Sequence, residues 1–242
     1  MAYSPITKPG AHFNTVTYTG NGSTNAITGV GFQPDWTWLK GRSVAYSHTL
    51  FDVVRGVTKR LETDGTGVES TLSTGLTSFD TDGFSLGSSA AVNQNTDTFV
   101  SWNWKANNSA GSSNSDGTIT STVAANTTAG FSIIKYAGTG TANQTFGHGL
   151  GVKPQVLIIK SRTSSDNWHY WQDTDDNGTA NQRLLLNSTA TNYNNYFVTF
   201  GTNTITLPSI NDSGWSASGQ DYIAYCFAEK QGYSDFGYYI GN

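Results

Sequence analysis

Gly29-Val30-Gly31-Phe32-Gln33-Pro34-Asp35-Trp36-Thr37-Trp38-Leu39-Lys40-Gly41-Arg42 and Gly149-Leu150-Gly151-Val152-Lys153-Pro154-Gln155-Val156-Leu157-Ile158-Ile159-Lys160-Ser161-Arg162 are two versions of one stretch, 120 residues apart on Pro34 and Pro154. On either side, Phe13 to Tyr18 returns as Phe131 to Tyr136, 118 residues on, and Arg60-Leu61 returns as Arg183-Leu184, 123 residues on. Phe99 to Ala106 matches Tyr222 to Glu229 at that same spacing of 123. Four ordered blocks with so small a drift read as an internal repeat, which fixes the architecture before any local assignment.

Within each copy, short apolar runs alternate with period two and end at turn signals such as Asn21-Gly22, Asp64-Gly65, Asp82-Gly83, Asp116-Gly117 and Asn177-Gly178. No window of useful length carries a helical stripe. The expectation is an all-β chain of two tandem homologous antiparallel β-sandwich or jelly-roll-like units. The first covers 1–106 and the second 117–242, with a Ser/Asn/Gly-rich flexible linker over 107–116. Pattern alone leaves open whether the copies form separate sandwiches or interleave. The clearest strand runs Val100, Trp102, Trp104 along one face with Ser101 and Asn103 on the other, and its partner in the repeat runs Ile223, Tyr225, Phe227 with Ala224 and Cys226 opposite.

Charged residues make up 12% of the 242, about half the usual share, while aromatics reach 13% with seven Trp. Such a chain has bulky anchors to bury and is not disordered. A net charge of −4 and scattered Lys and Arg give no footprint for nucleic acid or an anionic membrane. The single Cys226 excludes an internal disulfide framework. Neither a signal-peptide core nor a bilayer-length apolar run is visible, so the expectation is synthesis in the cytoplasm with no membrane insertion.

In the repeat Trp36 and Trp38 align with Val156 and Ile158, and Trp102 and Trp104 with Tyr225 and Phe227. Apolar exchange is what core positions tolerate, so these four indoles are expected inside. Trp168, Trp171 and Trp215 lie in polar stretches and, with His169 and Tyr170, are the candidate ligand contacts, buried loop anchors being the alternative. Lys40, Arg42 and Arg60 recur as Lys160, Arg162 and Arg183. Lys40, Arg42, Lys160 and Arg162 stand where a strand leaves the core, as structural ion pairs or as a repeated interface contact.

Asp173-Thr174-Asp175-Asp176-Asn177-Gly178 fits the first half of an EF-hand-type calcium loop, but the twelfth position is Leu184 where a bidentate carboxylate is needed. A solvated turn is the better reading, and no metal or cofactor is expected. Glu62-Thr63-Asp64 begins like a glycanase signature whose third carboxylate is here Gly67. The four His show no metal spacing, and there is no nucleophile elbow or phosphate loop. The glycine-dense Gly147 to Gly151 matches Thr28 to Gly31 and reads as a repeated turn. No catalytic residues are assigned, and the expectation is a non-enzymatic protein.

The blocks Gln33 to Lys40, Thr77-Ser78-Phe79-Asp80-Thr81-Asp82-Gly83-Phe84 and Val100 to Ala106, with the opening Met1-Ala2-Tyr3-Ser4 and Tyr222 to Glu229, resemble uncharacterised virion structural proteins of tailed phages, many from marine hosts and often labelled tail-fibre-like. The resemblance covers nearly the whole chain. It implies a virion component, exposed as a tail fibre, tip or adhesin-like module and partnered by other virion proteins. A capsid decoration protein and a module for host surface glycans are the alternatives. Low charge with abundant Ser, Thr and Asn suits wet interfaces between identical copies, so homo-oligomerisation is expected.

Overall fold

The structure, a computed structural model, describes residues 4–173, 179–190, 193–208 and 211–237. Contacts divide the chain into two units, Lys8–Gly111 and Ser112–Asn242, the latter including Met1–Thr7. The chain is all-β, and every named strand pairing is antiparallel. Each sheet draws its strands from one half of the chain only. Among the described residues no helix is long and apolar enough to cross a membrane.

The N-terminal unit holds β1 (Phe13–Thr19), β2 (Asn25–Thr28), β3 (Trp36–Gly41), β4 (Thr49–Asp52), β5 (Lys59–Glu62), β6 (Ser70–Thr71), β7 (Leu76–Asp80), β8 (Gly83–Leu86) and β9 (Thr98–Trp104). They form a six-stranded sheet, β1-β9-β3-β4-β5-β6, and a three-stranded sheet, β2-β8-β7. Leu39 and Phe51 from the first sheet meet Ile27, Leu76, Phe84 and Leu86 from the second in one buried cluster. Burying a side chain of this kind stabilises by about 1.5–3 kcal/mol. The β7–β8 turn needs Gly83: its φ is +150°, and a Cβ there would collide with the Ile27 carbonyl oxygen. Asp82 ties the same turn down by accepting the Gly29 and Gly31 N–H groups at 3.1 and 2.6 Å.

The C-terminal unit holds β10 (Ser112–Asn114), β11 (Ser121–Asn126), β12 (Phe131–Ala137), β13 (Thr145–Gly147), β14 (Val156–Ser161), β15 (His169–Gln172), β16 (Thr179–Leu185), β17 (Tyr193–Phe200), β18 (Thr204–Thr206) and β19 (Asp221–Phe227). Here both layers belong to one ten-stranded sheet, β10-β11-β12-β19-β14-β15-β16-β17-β18-β13. Its core gathers Ile134, Leu157, Ile159, Trp171 and Cys226 against Phe146, Val198, Phe200, Ile205 and Trp215.

The order β1-β9-β3-β4-β5 returns as β12-β19-β14-β15-β16. Register returns with it. Trp104 lies between Phe13 and Trp36 as Phe227 lies between Phe131 and Val156. Asp35 N–H donates to Trp104 O at 2.9 Å, and Gln155 N–H to Phe227 O at 2.8 Å. Tyr18 OH donates to Val92 O at 2.7 Å, and Tyr136 OH to Trp215 O at 2.8 Å. The paired turn glycines also agree, with φ of +86° and +85° at Gly29 and Gly31 and +70° and +68° at Gly149 and Gly151.

Two expectations are corrected. Ser112–Asn114, inside the segment read as a linker, form a strand on β11, with Ser112 opposite Val123. Composition describes side chains, whereas a neighbouring strand edge recruits backbone. The phase of β9 is also reversed. Ser101 and Asn103 are fully buried, and Val100, Trp102 and Trp104 are only half-buried. The polar pair goes inside because it is satisfied there: Thr37 Oγ1 donates to Asn103 Oδ1 at 3.1 Å, and Asn103 Nδ2 donates to Ser101 Oγ at 2.9 Å and Asn14 O at 3.2 Å.

Candidate functional site

The inverted phase of β9 turns an aromatic ladder toward the other face of the six-stranded sheet. Because β1, β9 and β3 are adjacent and in register, alternate residues on each converge there. Ring centroids lie 4.4 Å apart for Phe13–Trp104, 4.4 Å for Trp36–Trp104, 5.9 Å for Trp36–Trp38 and 6.0 Å for Trp38–Trp102. Trp36 is 3% exposed, while Trp38, Trp102 and Trp104 are half-buried. Three of the four indoles assigned to the core therefore stand at its margin. Trp38 is oriented by donating Nε1–H to Thr63 Oγ1 at 3.0 Å. His48 packs on it at 6.1 Å, and burial, then the Lys40 charge, lower its pKa against an upward pull from Asp64. A neutral imidazole beside two tilted indoles, with exposed Thr15 and Thr17 across β9 and β1, makes a face that stacks on apolar surface and offers hydroxyls at its border.

The candidate ligand contacts on the second copy are placed otherwise. Trp168, His169, Trp171 and Trp215 are each 1% exposed or less, and only Tyr170 is half-buried. His169, Trp171 and Trp215 do come together, with centroids 5.9 Å apart for His169–Trp171, 5.2 Å for His169–Trp215 and 5.8 Å for Trp171–Trp215. The Arg183 guanidinium lies over Tyr196 and Trp215 at 4.3 and 5.2 Å. This is an interior cluster, the buried-anchor alternative, and burial of the ring faces denies them to a ligand. Trp168 stacks at 6.5 Å on Tyr225, away from that group. Burial lowers the His169 pKa; Nε2 lies 3.4 Å from Asp166 Oδ1.

Of the four cations read as interface contacts, Arg42 is exposed. Lys40 is half-buried and donates to Tyr46 O at 2.7 Å. Lys160 is fully buried, donates to Ser161 O at 2.8 Å and to Ser164 O at 3.5 Å, and is pushed by burial to a pKa of about 8 despite the upward pull of Asp166. Arg162 is half-buried, 4.0 Å from Asp221. Lys40 and Lys160 thus each tie down the loop that follows their strand, because a buried ammonium must find carbonyl oxygens, and an interface role for Lys160 is corrected by its burial.

Buried charge elsewhere is similarly engaged. Asp52 pairs with Arg55, whose guanidinium also reaches Glu69 at 3.4 Å. Asp173 accepts Lys153 Nζ at 2.9 Å, while 174–178 of the calcium-like loop lie outside the described residues. Glu62 pairs with Arg60 at 3.2 Å. Among the described residues no group of three or more His, Cys, Asp or Glu is placed to hold a metal ion. The single thiol, Cys226, is buried, and burial pushes its pKa well above the ordinary range.

Sequence reasoning missed Asp35. It is fully buried, and its Oδ2 accepts the Ala106 and Asn108 N–H groups at 2.6 and 3.0 Å, pinning the chain as it leaves β9. Burial raises its pKa to about 6. The alignment of the two halves carried the signal, since the residue opposite Asp35 in it is Gln155, whose Oε1 accepts the Glu229 N–H at 2.8 Å.

No curated protein and no solved structure matches the chain. A family described as a domain of unknown function (DUF7483) matches residues 8–242, and the chain belongs to it.

Proposed function

We propose that this DUF7483 chain is a non-enzymatic structural component of a tailed-phage particle, displayed on its surface as a tail-fibre, tip or adhesin-like module among other virion proteins. The observation that carries the reading joins sequence to fold. Two of the blocks that resemble phage virion proteins, Gln33 to Lys40 and Val100 to Ala106, overlap the paired strands β3 and β9 and so supply the four indoles of the ladder, three of them half-buried. What those blocks specify is a contact face of aromatic rings. The uncharged, Thr-rich margin of the same sheet supports packing among copies and neighbours without strong charges. Mass spectrometry of purified particles, followed by gold-labelled antibody or cryo-EM placement, tests the proposal. Finding the protein on the tail supports it, finding it on the head selects the capsid-decoration alternative, and its absence from particles refutes it.

A glycan-binding module is the second reading, and one observation favours moving it to the N-terminal unit. Trp38 and Trp102 are half-buried with ring centroids 6.0 Å apart, whereas Trp168, Trp171 and Trp215 are enclosed. A glycan array probed with the protein and with Trp38→Ala and Trp102→Ala decides it. Saturable binding weakened by both substitutions supports the reading, and silence removes it.

A further inference from the structure

The two units treat the same strand differently. In the C-terminal unit β12 is covered on its outer side by β11, with Asn126, Ala124 and Thr122 opposite Phe131, Ile133 and Lys135. The strand in the same place in the N-terminal unit is β1, and among the described residues it pairs with β9 alone. Lys105 N–H donates to His12 O at 2.9 Å and Gly20 N–H to Asp97 O at 2.8 Å, bracketing the β1–β9 ladder. In an antiparallel pair the hydrogen-bonded residues alternate, so the even-numbered positions of β1 face β9. Phe13, Thr15, Thr17 and Thr19 direct their N–H and C=O groups away from it. For Phe13, Thr15 and Thr17 these are the positions whose counterparts, Phe131, Ile133 and Lys135, lie opposite β11 in the other unit.

Little guards this edge among the described residues: at its C-terminal end Asn25 Nδ2 donates to Thr19 O at 3.3 Å. Phe13-Asn14-Thr15-Val16-Thr17-Tyr18-Thr19 has no charge, no proline and no register shift, and Thr15, Thr17 and Thr19 are exposed. Natural edges are usually blunted by one of those devices. The local substitute is small: Asn14 Oδ1 accepts the Thr15 N–H at 2.9 Å. Among the described residues none of the preceding segment pairs with β1, and Pro5 and Pro9 lack the N–H a ladder needs.

We infer that the open edge of β1 is an assembly surface and that its occupant is β1 of a second copy of this chain. The strand is self-complementary when reversed about Val16. Thr15 then faces Thr17 of the partner, Phe13 faces Thr19, and the outward N–H and C=O groups of both strands meet as hydrogen-bonded pairs. Val16 lies against its twin and Asn14 against Tyr18. No like charges oppose one another, and threonine pairs suit such a position. The contact is isologous and joins two six-stranded sheets into one of twelve strands. This deepens the assembly part of the proposed function and stands independently of where the protein sits in a particle.

The test uses the full chain. Sedimentation equilibrium up to about 100 μM, where small strand-edge contacts associate, gives a dimer for the wild type. Thr17→Pro removes an outward N–H, and Thr15→Lys places charges against the partner strand. Each weakens association at least about tenfold, the loss of one well-made contact, with the urea midpoint unchanged. Amide exchange of the peptide over 13–19 slows as protein concentration rises. A monomeric wild type, or a dimer that Thr15→Lys leaves intact, overturns the inference. A protein that dimerises through β1 yet is missing from purified particles refutes the proposed function and leaves this inference standing.

Discussion

Asp35→Asn isolates one buried charge. Asp35 sits at the start of β3, fully enclosed, with two backbone N–H groups on Oδ2 and, among the described residues, no hydrogen-bond partner for Oδ1. Burial, aided by Asp52 and opposed by the two hydrogen bonds and Lys105, raises its pKa from 3.8 to about 6. A folded-state pKa above the unfolded one means folding favours the protonated form. That stability is complete below the unfolded pKa of 3.8 and is lost as pH climbs through about 6. A rise of that size corresponds to about 3 kcal/mol. The wild type therefore gives up about 3 kcal/mol between pH 4 and pH 7.5 through this group, and Asp35→Asn, which keeps the acceptor for Ala106 and Asn108, gives up none of it. The amide adds a buried NH2 needing a partner, a cost of about 1–3 kcal/mol that does not vary with pH. The quantity to measure is thus the change in the mutant-minus-wild-type difference, from urea titrations at pH 4 and pH 7.5 followed by tryptophan fluorescence. The mutant should gain about 3 kcal/mol relative to wild type across that span. A difference constant to within about 1 kcal/mol, or one moving the other way, would show that Asp35 is ionised in the folded state at little cost.

His169 behaves in the opposite sense. Burial lowers its pKa, so the C-terminal unit keeps this contribution above pH ~6.5 and loses it as pH falls below, and His169→Gln should flatten the acid limb of the stability curve. Trp171→Ala should destabilise by about 3–5 kcal/mol because the ring is enclosed, whereas Trp102→Ala, at a half-buried position, should lower stability by less than half of that; equal losses in thermal unfolding would contradict the placement of the ladder. Gly83→Ala should destabilise the N-terminal unit by more than about 1 kcal/mol, through both its φ of +150° and the collision with Ile27 O, as read from the urea midpoint.

The all-β class was legible because turn dipeptides and period-two runs report strands directly. Which face of a strand turns inward was not. On β9 one set of side chains is fully buried and the other half-buried, and the buried set holds the polar pair because Ser101 and Asn103 are satisfied with Thr37 and Asn14 across the sheet. Sequence distance hides such partners, and an inverted phase exchanges every residue between faces. The second copy shows the same difficulty, since Ala224 and Cys226 belong to the main core cluster. Trp171 was recoverable: at the 120-residue spacing it falls on Phe51, and both are core residues in the structure. Trp215 offered no such signal, because it lies between strands, where no alternation marks burial.

The C-terminal unit threads both of its layers through a single ladder, whereas the N-terminal unit keeps two ladders joined by side chains. Under a pulling force the two should yield differently. Layers joined through side chains can slide apart once those contacts are breached, while a continuous sheet must rupture backbone bonds at β16–β17 before its halves separate. Stretched end to end, the molecule should extend in two steps, the first from the half that contains residues 8–111.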